Sequence, residues 1–303
     1  MRWTPDIVAE LAALLEDHSW AGAARILGER HGSDITWAQV RYAAQHWGFS
    51  SSSVKDKDAA PPVVAQYSTF WRLSGDWALV GDLHCPCTDW GLAGQVGAEA
   101  RKAGIRQLLI CGDVFDMPAL GKYAPVVPPN EALAEERAAK YALRMWERTF
   151  DTIRILTGNH DLRLFKALQG ALGEAAVTAA LLARMGADER TEWSVYGYCI
   201  IESGTGDWRI SHPFNYSRNA LTVARKLAAK HLQHVVTFHE HHTAVGFDDS
   251  GRFVIANVGC LADPEKLAYK QLVDRSSTPE MSQGFALLKG GRIHCVPKHE
   301  AVW

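Results

Sequence analysis

Five short segments of this 303-residue chain each end an apolar run in side chains that bind metal or move protons. "WALVGDLH" (77–84) ends in Asp82 and His84, and "QLLICGD" (107–113) ends in Asp113, with Asp116 three residues on. "TIRILTGN" (152–159) ends in Asn159 with His160 next, "DWRISH" (207–212) in His212, and "HVVTFHEH" (234–241) in His239 and His241. Carboxylate, imidazole and amide oxygen are donors suited to borderline divalent metals. A lone histidine at a strand end is more often structural than a ligand. Five such ends in succession carry more weight. Gathered at one edge they crowd carboxylates and imidazoles together with no Lys or Arg to pair them, and metal ions resolve that crowding. The i, i+2 spacing of Asp82 with His84 and of His239 with His241 puts each pair on one side of a strand, provided the strand runs through them.

For these ends to meet, the runs must be strands of one layered domain. From residue 63 onward strand-like and helix-like stretches alternate, with helices expected over 131–149 and 217–231. The pattern predicts an α/β domain with functional residues at strand ends. "MPALGKYAPVVPPN" (117–130), with four prolines, fits neither helix nor strand. It reads as a lid or cleft wall carrying Lys122 and Tyr123, or as a crossover loop. "HPFNYSRN" (212–219) either adds Asn215, Tyr216 and Arg218 to a site rim or caps the following helix.

Upstream, residues 1–49 read as three short helices. The first begins near Pro5 with Ile7, Leu11, Leu14 and Leu15 on one face. The second follows a cap at Ser19 and carries Trp20, Ala24 and Leu27. The third starts at Thr36 and ends before Gly48, with Trp37, Val40, Ala44 and Trp47 expected inward. "SSSSVKDKDAAPP" (50–62) has the composition of a flexible linker, leaving 63–303 as the large domain.

A hydrophobic content of 47% supports a substantial core, and a formal net charge of −2 gives no global basic field for nucleic acid. Asp6 and Glu10 interrupt the first apolar stretch, against a signal peptide, and no uncharged run is long enough for a bilayer. The expectation is a cytoplasmic protein without a membrane partner. Its six cysteines are then expected reduced, as inert core thiols or as groups near a metal site. Cys85-Pro86-Cys87 lacks the second pair of a zinc ribbon.

Two resemblances follow from these motifs. Trp3, Trp20 and Trp37 recur every 17 residues, and with "RWTPD" (2–6) the first 48 residues resemble a Myb/SANT-type, helix-turn-helix repeat. That implies DNA contact through Gln39, Arg41, Gln45 and His46. Residues 1–50 hold four basic and six acidic side chains, however, a poor balance for phosphate, so protein docking or a structural role stands beside it.

"GDLH", "GDVFD", "GNHD", "SH" and "HEH", in that order over 76–296, resemble the calcineurin-like metallophosphoesterase superfamily, with an arrangement similar to phage and bacterial members. The resemblance implies a four-layer α/β/β/α sandwich preceded by the small three-helix domain, and a dinuclear centre. Asp82, His84 and His241 would hold one metal, Asn159, His212 and His239 the other, with Asp113 bridging. Manganese is the first candidate, with iron, zinc, cobalt or nickel as alternatives. It further implies attack of a metal-bridging hydroxide on a phosphate ester, a phosphodiester and possible nucleic acid ahead of a monoester. His160 would be the general acid and Asp116 the carboxylate that orients it. Arg163 would meet a phosphate oxygen, or lie exposed at a helix start. Asp161 would support the turn. Phe238 stands where the family's last motif usually has glycine, Pro213 follows His212 where glycine is common, and His242 offers an alternative register to His241. "NVGC" (257–260) resembles the family's Asn-x-Gly-Ser loop with Cys260 in place of serine. A DNA- or protein-binding regulator with a structural or inactive metal site is the competing reading.

Overall fold

A computed structural model of the protein describes residues 3–48, 69–121, 132–168, 172–267, 270 and 280–298. The expected linker (50–62) lies outside the described residues, as do Lys122 and Tyr123 of the proline-rich segment. Contacts divide the chain into two compact units, Met1–Tyr67 and Ser68–Trp303.

In the first unit, α1 (Pro5–Asp17) carries proline in its first turn, where a missing N–H costs nothing. Ser19 Oγ accepts from Gly22 N (3.1 Å) and caps α2 (Trp20–His31). Thr36 and Gln39 cap each other's backbone at the start of α3 (Trp37–His46). Leu11, Leu15, Leu27, Val40, Ala43 and Ala44 form the core between the three helices. Trp37 and Trp47, expected inward, are instead 54% and 40% exposed. Val40, Ala43 and Ala44 fill the contact face, and the two tryptophans fall on the first residue and the C-cap, one turn beyond it at either end. Trp47 packs edge-on against His46 and tilted against Trp3.

The second unit contains β1 (Arg72–Ser74), β2 (Trp77–Val80), α4 (Trp90–Ala103), β3 (Gln107–Cys111), α5 (Ala132–Glu147), β4 (Thr152–Leu156), α6 (Asp161–Ala167), α7 (Glu174–Met185), β5 (Thr191–Trp193), β6 (Tyr198–Glu202), β7 (Trp208–Ser211), α8 (Thr222–His231), β8 (His234–Thr237), β9 (Thr243–Phe247), β10 (Val254–Val258), β11 (Gly284–Lys289) and β12 (Arg292–Pro297). Among the described residues they make two six-stranded sheets, β12-β11-β2-β3-β4-β5 and β1-β6-β7-β8-β10-β9. Strands β2 to β5 run parallel, as do β7, β8 and β10.

Strand alternation makes the layers. Trp77, Leu79, Leu109, Cys111 and Leu156 of one sheet pack against Cys199, Ile201, Trp208, Ile210, Val236 and Ala256 of the other. The intervening residues Ala78, Val80, Leu108, Ile110, Ile153 and Ile155 face outward onto α4, α5 and α7. On the far side, Ala224 and Ala228 of α8 cover Val235 and Ile255. The result is a four-layer α/β/β/α sandwich. Each large apolar side chain buried between the layers contributes about 1.5–3 kcal/mol. Helix α8 starts at Thr222 rather than 217, because Leu221 before it is left-handed (φ +70°).

Candidate metal centre

Parallel pairing brings the C-terminal ends of β2, β3 and β4 together, and likewise those of β7 and β8. All seven expected ligands lie in the loops just past these ends. Strand alternation does not aim them. β2 stops at Val80 and β8 at Thr237, so Asp82, His84, His239 and His241 lie beyond the regular strand. These four and Asp113 all have left-handed backbones, with φ between +45° and +80°. A non-glycine residue pays about 1–2 kcal/mol for this conformation, and it persists where surroundings over-determine it.

Backbone hydrogen bonds supply that determination. Asp82 N donates to Gly112 O (3.0 Å) and His84 N to Asp113 O (3.0 Å). His239 N donates to Asp82 Oδ2 (2.9 Å) and His160 N to Asp113 Oδ1 (2.7 Å). The Asp161 carboxylate, fully buried, accepts from the N–H groups of Asp113 (2.9 Å), Val114 (3.1 Å), Phe115 (3.3 Å) and Gly158 (2.9 Å). It thus ties two ligand loops into one body, more than the turn support expected of it. Gly158 permits this approach, since a Cβ there would strike Asp113 N and Oδ1. Phe238 is accommodated at the glycine-type position because its ring lies over Gly81.

One set of ligand atoms is Asp82 Oδ1, His84 Nε2 and His241 Nε2. Their separations are 3.9 Å (Asp82–His84), 3.3 Å (His84–His241) and 3.2 Å (Asp82–His241). The point equidistant from all three in their plane lies about 2.0 Å from each, the usual bond length of N and O ligands to zinc. His84 Nδ1 donates to Asp116 Oδ1 (3.1 Å), which leaves Nε2 as a lone pair for a cation. His241 belongs to this set, whereas the buried His242 Nε2 has no hydrogen-bond partner among the described residues.

The second set is Asp113, His212 and His239, with Asn159 beside it. His212 Nδ1 donates to Cys111 O (2.8 Å), so its Nε2 faces two acceptors, Asn159 Oδ1 at 3.0 Å and Asp113 Oδ2 at 3.4 Å. Asp113 Oδ2 also lies 3.8 Å from His84 Nε2 and so faces both sets.

Charge explains why the arrangement wants a cation. Among the described residues, Asp82 and Asp113 pair only with histidines. Burial opposes their ionisation, yet His241 and His212 hold Asp82, and His212 and His160 hold Asp113, below the usual carboxylate range. Burial likewise opposes charge on His212, but Asp113 and Asp82 raise it to about 10, while burial and the neighbouring His212 push His239 down to about 4. The two buried carboxylates thus hold positive charge on His212, while His239 beside it stays neutral. Converging imidazole and oxygen donors, carboxylates without Lys or Arg, and strained backbones at these positions all fit divalent metal.

Beside the two sets, His160 Nδ1 donates to Asp116 O (2.7 Å) with Asp116 Oδ1 at 3.3 Å. Arg163 Nη2 lies 2.9 Å from His160 Nε2, and Nη1 donates to Asp116 O (2.8 Å). A guanidinium only donates, so His160 Nε2 accepts and Nδ1 carries the proton. Arg163 is therefore partly buried against His160 rather than exposed at a helix start.

Two further acids escaped sequence reading. Glu135 on α5 is buried and accepts from Met117 N (2.9 Å); burial raises it to about 7. Glu240, between His239 and His241, accepts from Ser217 N (2.8 Å) and Asn257 Nδ2 (2.9 Å). Only the "NVGC" likeness drew attention to Asn257, and nothing marked its partner. The described cysteines form no disulfide, and burial pushes Cys85 up to about 12, as expected of inert thiols.

No protein-family model matches the chain, and no curated protein does. Among solved structures the chain is similar to Chaetomium thermophilum Vps29 at 14% identity, covering 70% of this chain and 83% of that one, with a TM-score of 0.40. It is similar to YfcE, a phosphoesterase from E. coli, at 13% identity, covering 71% and 88%, with a TM-score of 0.37. It is also similar to TT1561 of Thermus thermophilus at 10% identity, covering 73% and 97%, with a TM-score of 0.39. Likeness at this level assigns neither an activity nor a site. No helix among the described residues is long and apolar enough to cross a membrane.

Proposed function

We propose that residues 63–303 are the catalytic domain of a calcineurin-like metallophosphoesterase that hydrolyses phosphate esters, diesters ahead of monoesters, with two divalent metals. The observation that carries this reading is the pair of buried N/O donor sets with Asp113 Oδ2 facing both. Asp82, His84 and His241 would hold one ion and Asn159, His212 and His239 the other, with Asp113 shared. Structural metal sites are usually sulfur-rich and closed, whereas no cysteine enters either set. Manganese suits the mixed O and N donors, as do iron, zinc, cobalt and nickel. When bound, such a pair activates water and neutralises charge on phosphoryl oxygens.

The chain's own residues do the rest. His160 Nε2, which accepts from Arg163 in this structure, takes up the proton for the leaving oxygen once that contact is released. Asp116, through its carbonyl and carboxylate on Nδ1, fixes the orientation of the ring. Arg163 Nη2 leaves His160 Nε2 and turns toward a phosphoryl oxygen when substrate enters, with Nη1 still on Asp116 O. Asp161 holds the Asp113 and Asn159 loops at fixed spacing.

The helical unit is proposed as a docking module. Exposed on α3 and at its C-cap are Trp37, Tyr42 and Trp47, with a single arginine, Arg41. An aromatic, cation-poor face favours a protein partner over duplex DNA.

The test compares bis(p-nitrophenyl) phosphate with p-nitrophenyl phosphate, using metal-stripped protein reloaded with manganese. Faster diester cleavage is expected. Faster monoester cleavage would turn the reading to a phosphomonoesterase, and no turnover of either with any of the five metals would favour the regulator.

A further inference from the structure

The loop between β7 and α8 begins at the ligand-set residue His212 and then exposes two large aromatic rings, Phe214 (60%) and Tyr216 (53%). Neither ring pairs with another aromatic among the described residues. The loop is nonetheless fixed to the metal centre. Ser217 N donates to Glu240 Oε1 (2.8 Å), and Glu240 is itself flanked by His239 and His241 and held by Asn257. Asn219 N is bound to Ser217 Oγ (3.2 Å). Helix α8 receives no side-chain cap, and from this segment only the Asn219 carbonyl meets its first N–H, Thr222 N (3.3 Å). The loop is therefore anchored by backbone and buried acid, not by its rings, which contribute little to folding where they stand.

Single exposed aromatics are ordinary. Two at i, i+2, on a loop pinned beside the candidate metal ligands and interleaved with exposed Asn215 and Arg218, leave two free ring faces for an aromatic ligand group. Resting on the metallophosphoesterase reading, we propose that Phe214 and Tyr216 form a base-stacking platform at the mouth of the centre, and that the substrate is a nucleotide-type phosphate ester. The phosphate enters the metal sets, the base lies on the two rings, and Asn215 and Arg218 meet polar edges of the nucleoside.

The test is calorimetric binding to the manganese-loaded full chain. The probes are the methylene phosphonate analogue of AMP, whose P–C bond resists hydrolysis, and methylphosphonate, which lacks the nucleoside. The nucleoside phosphonate should bind about 10- to 100-fold more tightly, the range for stacking of a base on aromatic side chains. Phe214→Ala with Tyr216→Ala should abolish that preference and leave methylphosphonate affinity within about twofold. Phe214→Trp with Tyr216→Phe should keep it. Equal affinity for the two probes, or a preference that survives the double alanine substitution, overturns the platform while leaving the phosphoesterase reading intact. Binding of neither probe overturns both.

Discussion

At the scale of single residues, Asp113 has the largest consequences. Its side chain faces both donor sets and its backbone oxygen holds His84 N. Asp113→Asn should reduce bound metal below two equivalents, read by elemental analysis, and abolish turnover. His160→Ala should behave differently, keeping two metals but losing about 10²- to 10⁴-fold in rate, the usual worth of a general acid. Normal turnover of diesters with poor leaving groups by that variant would remove His160 from the reaction. Asp161 makes a third case. Its carboxylate satisfies four buried N–H groups, and each orphaned donor costs about 1–3 kcal/mol. Asp161→Ala should therefore lower stability by several kcal/mol in denaturant melts and loosen metal binding, although it is not a ligand. The candidate donors were legible because donor types recur at strand ends, and the structure brings them together in two sets. The role of Asp161 was not, because a carboxylate that gathers backbone N–H groups leaves no mark in side-chain spacing.

At the scale of elements, the strands with motifs at their ends read clearly from the sequence, and their ends do converge. The means of convergence did not read clearly. Asp82/His84 and His239/His241 share a side through left-handed loop residues rather than strand alternation, and φ signs at Asp and His are not written in a hydropathy pattern. The edge strands β1, β5 and β9 were equally silent, being three to five residues long with mixed burial. Trp37 and Trp47 were misread because helical period fixes a face but not how far the partner helices extend along it. Helix α5 carries a testable consequence. Glu135 has a pKa raised by burial to about 7 in the folded state against the ordinary 4.5. Between those values the folded protein holds more protons than the unfolded one, so stability falls as pH rises through this window. Glu135→Gln should flatten that fall in thermal melts between pH 5 and pH 8. An unchanged pH profile in the variant would place the charge elsewhere.

At the scale of the whole molecule, the α/β alternation read from the sequence and the four layers that the family resemblance implies are those observed, and the helical unit has its own core of Leu11, Leu15, Leu27 and Val40. The charge balance matters here. The chain has a net charge of −2, and the acids of its helical unit are only partly neutralised, as where Glu10 pairs with Arg30 and His31. Non-specific DNA affinity comes from phosphate neutralisation. The full chain should therefore show no measurable anisotropy change with a random duplex at physiological salt. Tight binding with a steep salt slope would return the third helix to the DNA-reading role that its Myb/SANT likeness implies.

The central claim is that the two buried donor sets make a dinuclear phosphoesterase centre. One titration tests it: manganese added stepwise to the metal-stripped full chain, with bound metal and bis(p-nitrophenyl) phosphate hydrolysis followed on the same sample. A dinuclear centre gives no turnover without metal, and turnover that climbs to a plateau as occupancy reaches two ions per chain. Full activity in the stripped protein, or two bound ions with no hydrolysis under manganese, iron, zinc, cobalt or nickel, would contradict it.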